Sequence, residues 1–158
     1  HGAWDQASPQ YRWGPVARDR KKLARRIAAW GRDKPHAVAQ LGDIAKIEVA
    51  GRNRVGRPAA WAVTDTAGRR YVVPCEGFRN ACNDTDNGRL PLEKGERLLS
   101  SHFDVAVVGN TVRITRGRGY GHGVGLSQWG AQAMAAAGHP YTAILQFYYP
   151  GAAVQKLY

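Results

Sequence analysis

Residues 103–138 read FDVAVVGNTVRITRGRGYGHGVGLSQWGAQAMAAAG, and this stretch sets the architecture. FDVAVV and TVRIT alternate apolar and polar side chains on either side of Gly109-Asn110, the pattern of two antiparallel strands joined by a tight turn. Glycine then takes every second position from Gly117 to Gly125. Alternate glycines clear one face of an extended strand, so the segment is expected to admit another backbone or a flat ligand on that face and to lead directly into Ser127. Arg118, Tyr120, His122 and Val124 are expected on the other. Ser127 can cap a helix reaching to about Ala137, and Gly138 can end it.

Working outward, a second short helix is expected from Thr142 to Tyr149, capped by Thr142 and ended by Pro150. Upstream, IAKIEVA (44–50) reads as a strand, and AAWAVTDT and RRYVVP flank Ala67-Gly68 as a second hairpin. Earlier still, VARDRKKLARRIAAW (16–30) has Leu23, Ile27 and Trp30 at i, i+4 and i+7, a core-facing stripe. Arg18, Arg20, Lys21, Lys22, Arg25 and Arg26 cover the rest of that helix, Pro15 opens its first turn and Gly31 is a plausible stop. Residues 1–14 carry Trp4, Tyr11 and Trp13 without periodicity and read as an irregular lead-in. The order of helix, strands, helices predicts an α+β fold: a mainly antiparallel sheet, a basic N-terminal helix and two short C-terminal helices.

A length of 158 residues fits one domain or two tightly joined lobes. Hydrophobic residues at 44% and charged residues at 22% argue against disorder. No apolar run approaches the ~20 residues of a membrane span. The 23 basic against 12 acidic residues give a net charge of +11, which favours anionic polymers: nucleic acid, acidic lipid or the anionic polymers of a bacterial wall. A solvated basic surface is the plainer reading, and no nucleic-acid motif is present, so no nucleic-acid partner is expected.

Cys75 and Cys82 bracket CEGFRNAC within a polar stretch, 75–97, that reads as a loop. The spacing suits a disulfide that closes the loop, with two free thiols as the alternative; the disulfide would place the chain in an oxidising compartment. Glu76, Asp84 and Asp86 are hard oxygen donors that match zinc-thiolate chemistry poorly, so no metal and no cofactor are expected.

The chemistry is concentrated at the strand-to-helix junction, where His122, Ser127, Gln128 and Trp129 are expected to gather. Free amides at a helix start can hold an oxyanion or a polar group. Familiar motifs fail there. GxxxxGK[ST] is absent, GxGxxG meets His122 where its third glycine belongs, and Ser127 sits between Leu126 and Gln128 rather than in GxSxG. A Ser-His pair five apart is weak evidence for a nucleophile without a third, orienting group. His122 reads either as a functional group or as a structural ring bonded to backbone.

GYGHGVGLSQWGAQAMAAAGHPYTAILQFYYPGA (119–152) closely resembles the C-terminal signature of the SpoIID/LytB family, in its GHGVG run, SQWGA pentapeptide, MA..G step and IL..YYPG ending. LLSSHFDV (98–105) and YRWGPVARDRKKLARRI (11–27) resemble the family's preceding strand and its aromatic-then-helix lead-in more loosely. The resemblance divides the chain into helix and strands (11–74), the cysteine-bracketed departure (75–97) and the signature segment (98–158). It implies action on peptidoglycan, either as a lytic transglycosylase that cuts peptide-free glycan strands to anhydro sugars or as an enhancer of a wall amidase. It implies an extracytoplasmic site: periplasm, cell wall or secretion. Arg118, Tyr120, His122, Ser127, Gln128 and Trp129 would then bind glycan, aromatic faces stacking on sugars and polar groups meeting hydroxyls.

Glycosidic cleavage still needs a general acid with a raised pKa. The resemblance implies a catalytic Glu in the N-terminal part of the domain, within a helix rich in small residues, and no such motif occurs here. Glu48, Glu93, Glu96 and Asp104 read as solvated surface acids, and Glu76 is kept as a weak candidate beside His122. The chain, which opens at His1 with no leader, is therefore expected to be the C-terminal part of a larger protein. Its expected partners are glycan strands, the N-terminal part of the same protein and a wall amidase.

Overall fold

In the computed structural model, which describes residues 4–155, two short strands, β1 (Arg12–Trp13) and β2 (Val16–Asp19), precede helix α1 (Arg20–Asp33). The helix thus starts four residues later than its basic, apolar-striped pattern suggested. Val16 and Arg18 are buried while Ala17 and Asp19 are exposed, a two-residue period that belongs to a strand. Asp19 caps α1 by accepting from the Lys22 amide at 2.7 Å. Leu23 and Ile27 are buried and Trp30 packs against the same core, as the stripe requires. Gly31 does not stop the helix. It lies inside the last turn, where a Cβ would strike the backbone of Ala39.

A 3-10 turn (Ala37–Gln40) leads into the antiparallel strands β3 (Ile44–Arg52), β4 (Pro58–Asp65) and β5 (Arg70–Pro74), paired in that order. Helix α2 (Cys75–Asn83) follows at once. Strands β6 (Asp104–Val108) and β7 (Thr111–Thr115) form the hairpin expected about Gly109-Asn110, with Val108 opposite Thr111, and β7 pairs on its other edge with β2. A third, two-stranded sheet joins β1 to β8 (Gly117–Arg118). Helices α3 (Gln128–Ala136) and α4 (Tyr141–Tyr148) close the described chain. The architecture is α+β with three antiparallel sheets.

Trp61, Phe78 and Phe103 form the centre of the core, Trp61 and Phe103 stacking 8° from parallel at 5.5 Å between ring centroids. Trp13 meets Phe103 edge-on at 5.8 Å, so the aromatic lead-in is tied to the core. The basic helix is less of a charged surface than its sequence implied. Arg26 is 1% exposed and donates to the carbonyls of Asp84, Leu90 and Pro91, while Arg18, at 3%, donates to those of Cys82 and Glu96. These guanidinium groups satisfy four carbonyls of residues 84–97, those of Asp84, Leu90, Pro91 and Glu96, in a segment with no regular ladder of its own.

The expected disulfide and the loop reading of residues 75–83 are both corrected. Phe78, Ala81 and Cys82 fall at i, i+3 and i+4 and are buried, so this stretch is an amphipathic helix. Cys75 and Cys82 are free thiols. Seven residues of helix separate them by about 10.5 Å, beyond the ~7 Å that a disulfide spans. Burial raises both thiol pKa values, that of Cys82 to about 12, so neither is a reactive thiolate at neutral pH.

Candidate functional site

The glycine-rich segment does not run as a straight strand. Only Gly117–Arg118 pair as one; Gly119, Gly121, Gly123 and Gly125 all take φ between +73° and +90°. A side chain at those four positions would be strained, so the alternation serves a backbone that turns at every second residue. The closest approach is at Gly117, where a Cβ would enter the indole ring of Trp13.

The winding segment is strapped down on both sides. The Gly121 amide donates to the Leu99 carbonyl at 2.7 Å, the Arg118 amide to the His102 carbonyl at 2.9 Å, and the Gly119 amide to the Tyr11 carbonyl at 3.1 Å. Ser100 receives a bond from the Trp13 indole and donates to the Arg118 carbonyl at 2.6 Å. Between these anchors the segment holds Tyr120 70% exposed and Val124 78% exposed, with His122 also exposed.

His122 accepts the Val124 amide at Nδ1, 2.9 Å away. The structural alternative for this ring is therefore met, but only at one nitrogen. Neutral His122 must carry its proton on Nε2, which has no hydrogen-bond partner among the described residues and is left as a donor.

Glu76 stands nearby, in the first turn of α2. It accepts from the Arg79 guanidinium and from the Ser101 hydroxyl. Burial alone would raise its pKa, but the bonds from Arg79 and Ser101 and the charges of Arg79 and His122 outweigh it and hold the carboxyl below its ordinary value. Glu76, the weak candidate of the sequence, is thus already engaged by Arg79 and Ser101. The other shifted carboxyls, Glu48 and Asp65, are also lowered: Glu48 by its bond to Lys46, Asp65 by backbone and Arg69 bonds that overcome its burial.

Ser127 is turned to a different task. Its hydroxyl caps α3 by accepting the Gly130 amide at 3.2 Å and donates to the Asp5 carboxylate. Gly130 is required there, because a Cβ would land on the Tyr148 hydroxyl. The Tyr149 hydroxyl accepts the Leu126 amide at 3.2 Å. The SQWG run and the paired tyrosines are thus one interlocked structural unit joining α3, α4 and the chain start. Gln128 is exposed and Trp129 is 42% exposed in the first turn of α3, but no bond or ring contact joins either to His122. Gly138 ends α3 as expected, with the His139 amide on the Met134 carbonyl at 3.0 Å. Thr142 is not the cap of α4; Pro140 holds that position without a side-chain bond.

The sequence did not disclose Arg57 and His102. Arg57, at the start of β4, reaches across so that its Nη1 lies 3.0 Å from where a Gly123 Cβ would be. The His102 pKa is lowered, first by burial, then by the charges of Arg57 and Arg118, against an upward pull from Asp104, with Arg52 the smallest contribution. Only a tertiary approach between a hairpin and the glycine segment assembles this group. Among the described residues no three His, Cys, Asp or Glu side chains converge on a metal position.

No family model matches the chain. It is 42% identical over 153 residues to Stage II sporulation protein D of Bacillus amyloliquefaciens, covering 97% of this chain and 36% of that protein. It is 56% identical over 48 residues to the Amidase enhancer of Bacillus subtilis, covering 30% of this chain and 7% of that protein. Stage II sporulation protein D of Bacillus subtilis is 41% identical over 59 residues, 37% of this chain and 17% of that protein. The chain spans no more than about a third of the length of these curated relatives.

Proposed function

From the SpoIID/LytB family, to which this chain belongs, we propose that it forms the glycan-binding, cleft-forming part of a lytic transglycosylase-like cell-wall protein whose general acid lies outside these residues. The observation that carries this reading is the exposed row of Tyr120, His122 and Val124 on a backbone pinned at Leu99, His102 and Tyr11. An open, rigidly anchored face fits a long polymer better than a small molecule, which would call for a deeper and more enclosed pocket. Tyr120 and Trp129 offer stacking faces for sugar rings. His122 offers an Nε2–H, oriented by the bond at Nδ1, to a sugar hydroxyl or an acetamido carbonyl. Ionised Glu76 lies near enough for its charge to interact with the imidazole of His122.

This division of labour leaves the general acid to another part of the protein. In transglycosylation a carboxylic acid protonates the leaving glycosidic oxygen while the muramyl 6-hydroxyl attacks C1 and loses its proton. In this reading the glycine-rich segment contributes positioning and a hydrogen-bond donor to such a step, and the acid comes from outside these residues. The corresponding location is extracytoplasmic, where the substrate lies. The partners are glycan strands, the remainder of the same protein and a wall amidase.

Titration of the chain with peptide-free glycan strands, followed by tryptophan fluorescence, tests the reading. Saturable binding is expected, with Tyr120→Ala and His122→Ala each weakening it about tenfold while leaving the unfolding midpoint in place. Binding unaffected by both substitutions would remove this face as the glycan site. A second reading, a non-catalytic amidase-enhancing module, is supported by the likeness of 48 residues to the Amidase enhancer of Bacillus subtilis. It predicts glycan binding together with a rise in the rate of an added wall amidase.

A further inference from the structure

The cations of the basic helix are put to different uses. Arg26 is buried and spent on backbone carbonyls, as is Arg18 of β2. Lys22 stands 4.0 Å from Glu93. Lys21 and Arg25 are exposed and, among the described residues, paired with no acid. They line a cavity of about 610 Å³ between α1, the turn into β3 and residues 86–90. Arg32 and Arg89 complete its cationic wall, and Asp43 and Asp86 are its acids, so four cations face two carboxylates. Asp86 lies 3.9 Å from Arg32 and 3.7 Å from Arg89, one carboxylate between two guanidinium groups. Lys21, Arg25, Ala28 and Arg32 fall at i, i+4, i+7 and i+11, a single stripe of the helix. Alanine at 24 and 28 keeps the floor of the groove free of bulky side chains. Among the described residues no aromatic ring lines the cavity, and none of its lining belongs to the glycine-rich segment.

Cations left without carboxylates along an open groove attract oxyanions. The spacing sets the form of the anion. Lys21 and Arg32 are about 16 Å apart along the helix axis, too far for one compact ion to meet both. The lining sets its class. Single-stranded nucleic acid is held largely by aromatic faces that stack its bases, and this groove offers none. Its small-residue floor admits a slender chain instead. We propose that the groove on α1 binds a linear polymer of phosphodiester-linked polyol units, an anionic wall polymer without bases. Lys21 and Arg25 are its principal contacts. Arg25 can give a phosphate two parallel N–H···O bonds, while Lys21 meets it as a point charge. Asp86 holds Arg32 and Arg89 at the far end of the stripe, where they extend the positive field. The site is separate from the glycine face and does not rest on the glycan reading. It gives part of the net charge of +11 a local task, retention of the protein on a phosphate-bearing surface.

The probe is fluorescently labelled poly(glycerol phosphate), titrated with the whole chain and followed by polarisation. Saturable binding is expected, weakening steeply as salt is raised. The double variant Lys21→Gln/Arg25→Gln should lower the affinity at least about tenfold. Arg54→Gln/Arg113→Gln removes the same charge from exposed positions outside the groove and should change it less than about twofold. Arg25→Lys should keep most of the affinity. All four substituted side chains are exposed, and urea midpoints equal to the parent's verify that each variant folds. Equal losses in the two double variants would mean binding by net charge alone and overturn the proposal, as would the absence of saturable binding. Monomeric glycerol phosphate that displaces the polymer at equal phosphate concentration overturns it in favour of a compact anion. A single-stranded oligonucleotide of equal charge that binds tighter overturns it in favour of nucleic acid. Vesicles of phosphatidylglycerol and phosphatidylcholine that displace the polymer at equal charge concentration overturn it in favour of a lipid surface.

Discussion

The aromatic core and the glycine-rich face are built on opposite plans. The core gathers Trp61, Phe78 and Phe103 from a strand, a helix and a connecting segment, all essentially inaccessible to water. Its order comes from non-directional burial shared among many contacts. The glycine face buries little and is held by discrete bonds: Gly121 to Leu99, Arg118 to His102, Gly119 to Tyr11. Glycine at alternate positions has no side chain to pack, so backbone hydrogen bonds must fix the shape. Under the proposed glycan reading, stability and binding fall to separate regions, so substitutions in one need not register in the other.

The sharpest way to break this separation is at the core centre. Trp61→Ala or Phe78→Ala should cost about 3–5 kcal/mol in urea unfolding, against about 0.5 kcal/mol or less for His122→Ala. A His122→Ala penalty comparable to that of Trp61→Ala would mean that the glycine face is part of the core. Arg26→Leu comes next. It strips the carbonyls of Asp84, Leu90 and Pro91 of their charged donor and should cost about 2–3 kcal/mol, with faster amide exchange across residues 84–97. Gly130→Ala should cost about 1–3 kcal/mol by driving Tyr148 from Asp5 and Ser127, with the loss read in the near-ultraviolet dichroism of α3 and α4.

The smallest effect sharpens the role of Glu76. Its folded pKa is depressed, so its stabilising contribution is full above the unfolded value of about 4.3 and is lost as pH falls through the folded value. Urea midpoints measured from pH 7 to pH 3 should therefore drop less steeply in Glu76→Gln than in the parent chain. A steeper drop in the variant would contradict the assignment of Glu76 as an ionised, Arg79-bonded group.

Regions governed by local pattern were legible in the sequence. The β6–β7 hairpin follows from strict alternation around Gly109-Asn110, and α3 from Ser127 and Gly138 at its ends. Val16–Asp19 was misread because residues contiguous with the basic helix pattern pair as a strand with β7, a tertiary choice that overrides propensity. Helix α2 was hidden by its polar surroundings, although Phe78, Ala81 and Cys82 carried the helical spacing, and overlooking it suggested a disulfide that the helix forbids. The glycine alternation marked the candidate segment but not its shape, since period two is shared by a flat strand and by a backbone that turns left-handed at each glycine. Ser127 was placed in the site by its neighbours, yet its partner Asp5 lies 122 residues away. Arg57 beside Gly123 rests on the same kind of distant approach, which no local pattern encodes.

The central claim is that this chain binds glycan through the glycine face but lacks the acid that cleaves it. Incubating the chain alone with peptide-free glycan strands and searching by mass spectrometry for anhydro-muramyl ends tests that claim most directly. An intact-mass check first ensures that no other fragment accompanies the chain. The account predicts bound glycan and no anhydro ends. Anhydro ends formed by this chain alone would place the acid within these residues and contradict the account.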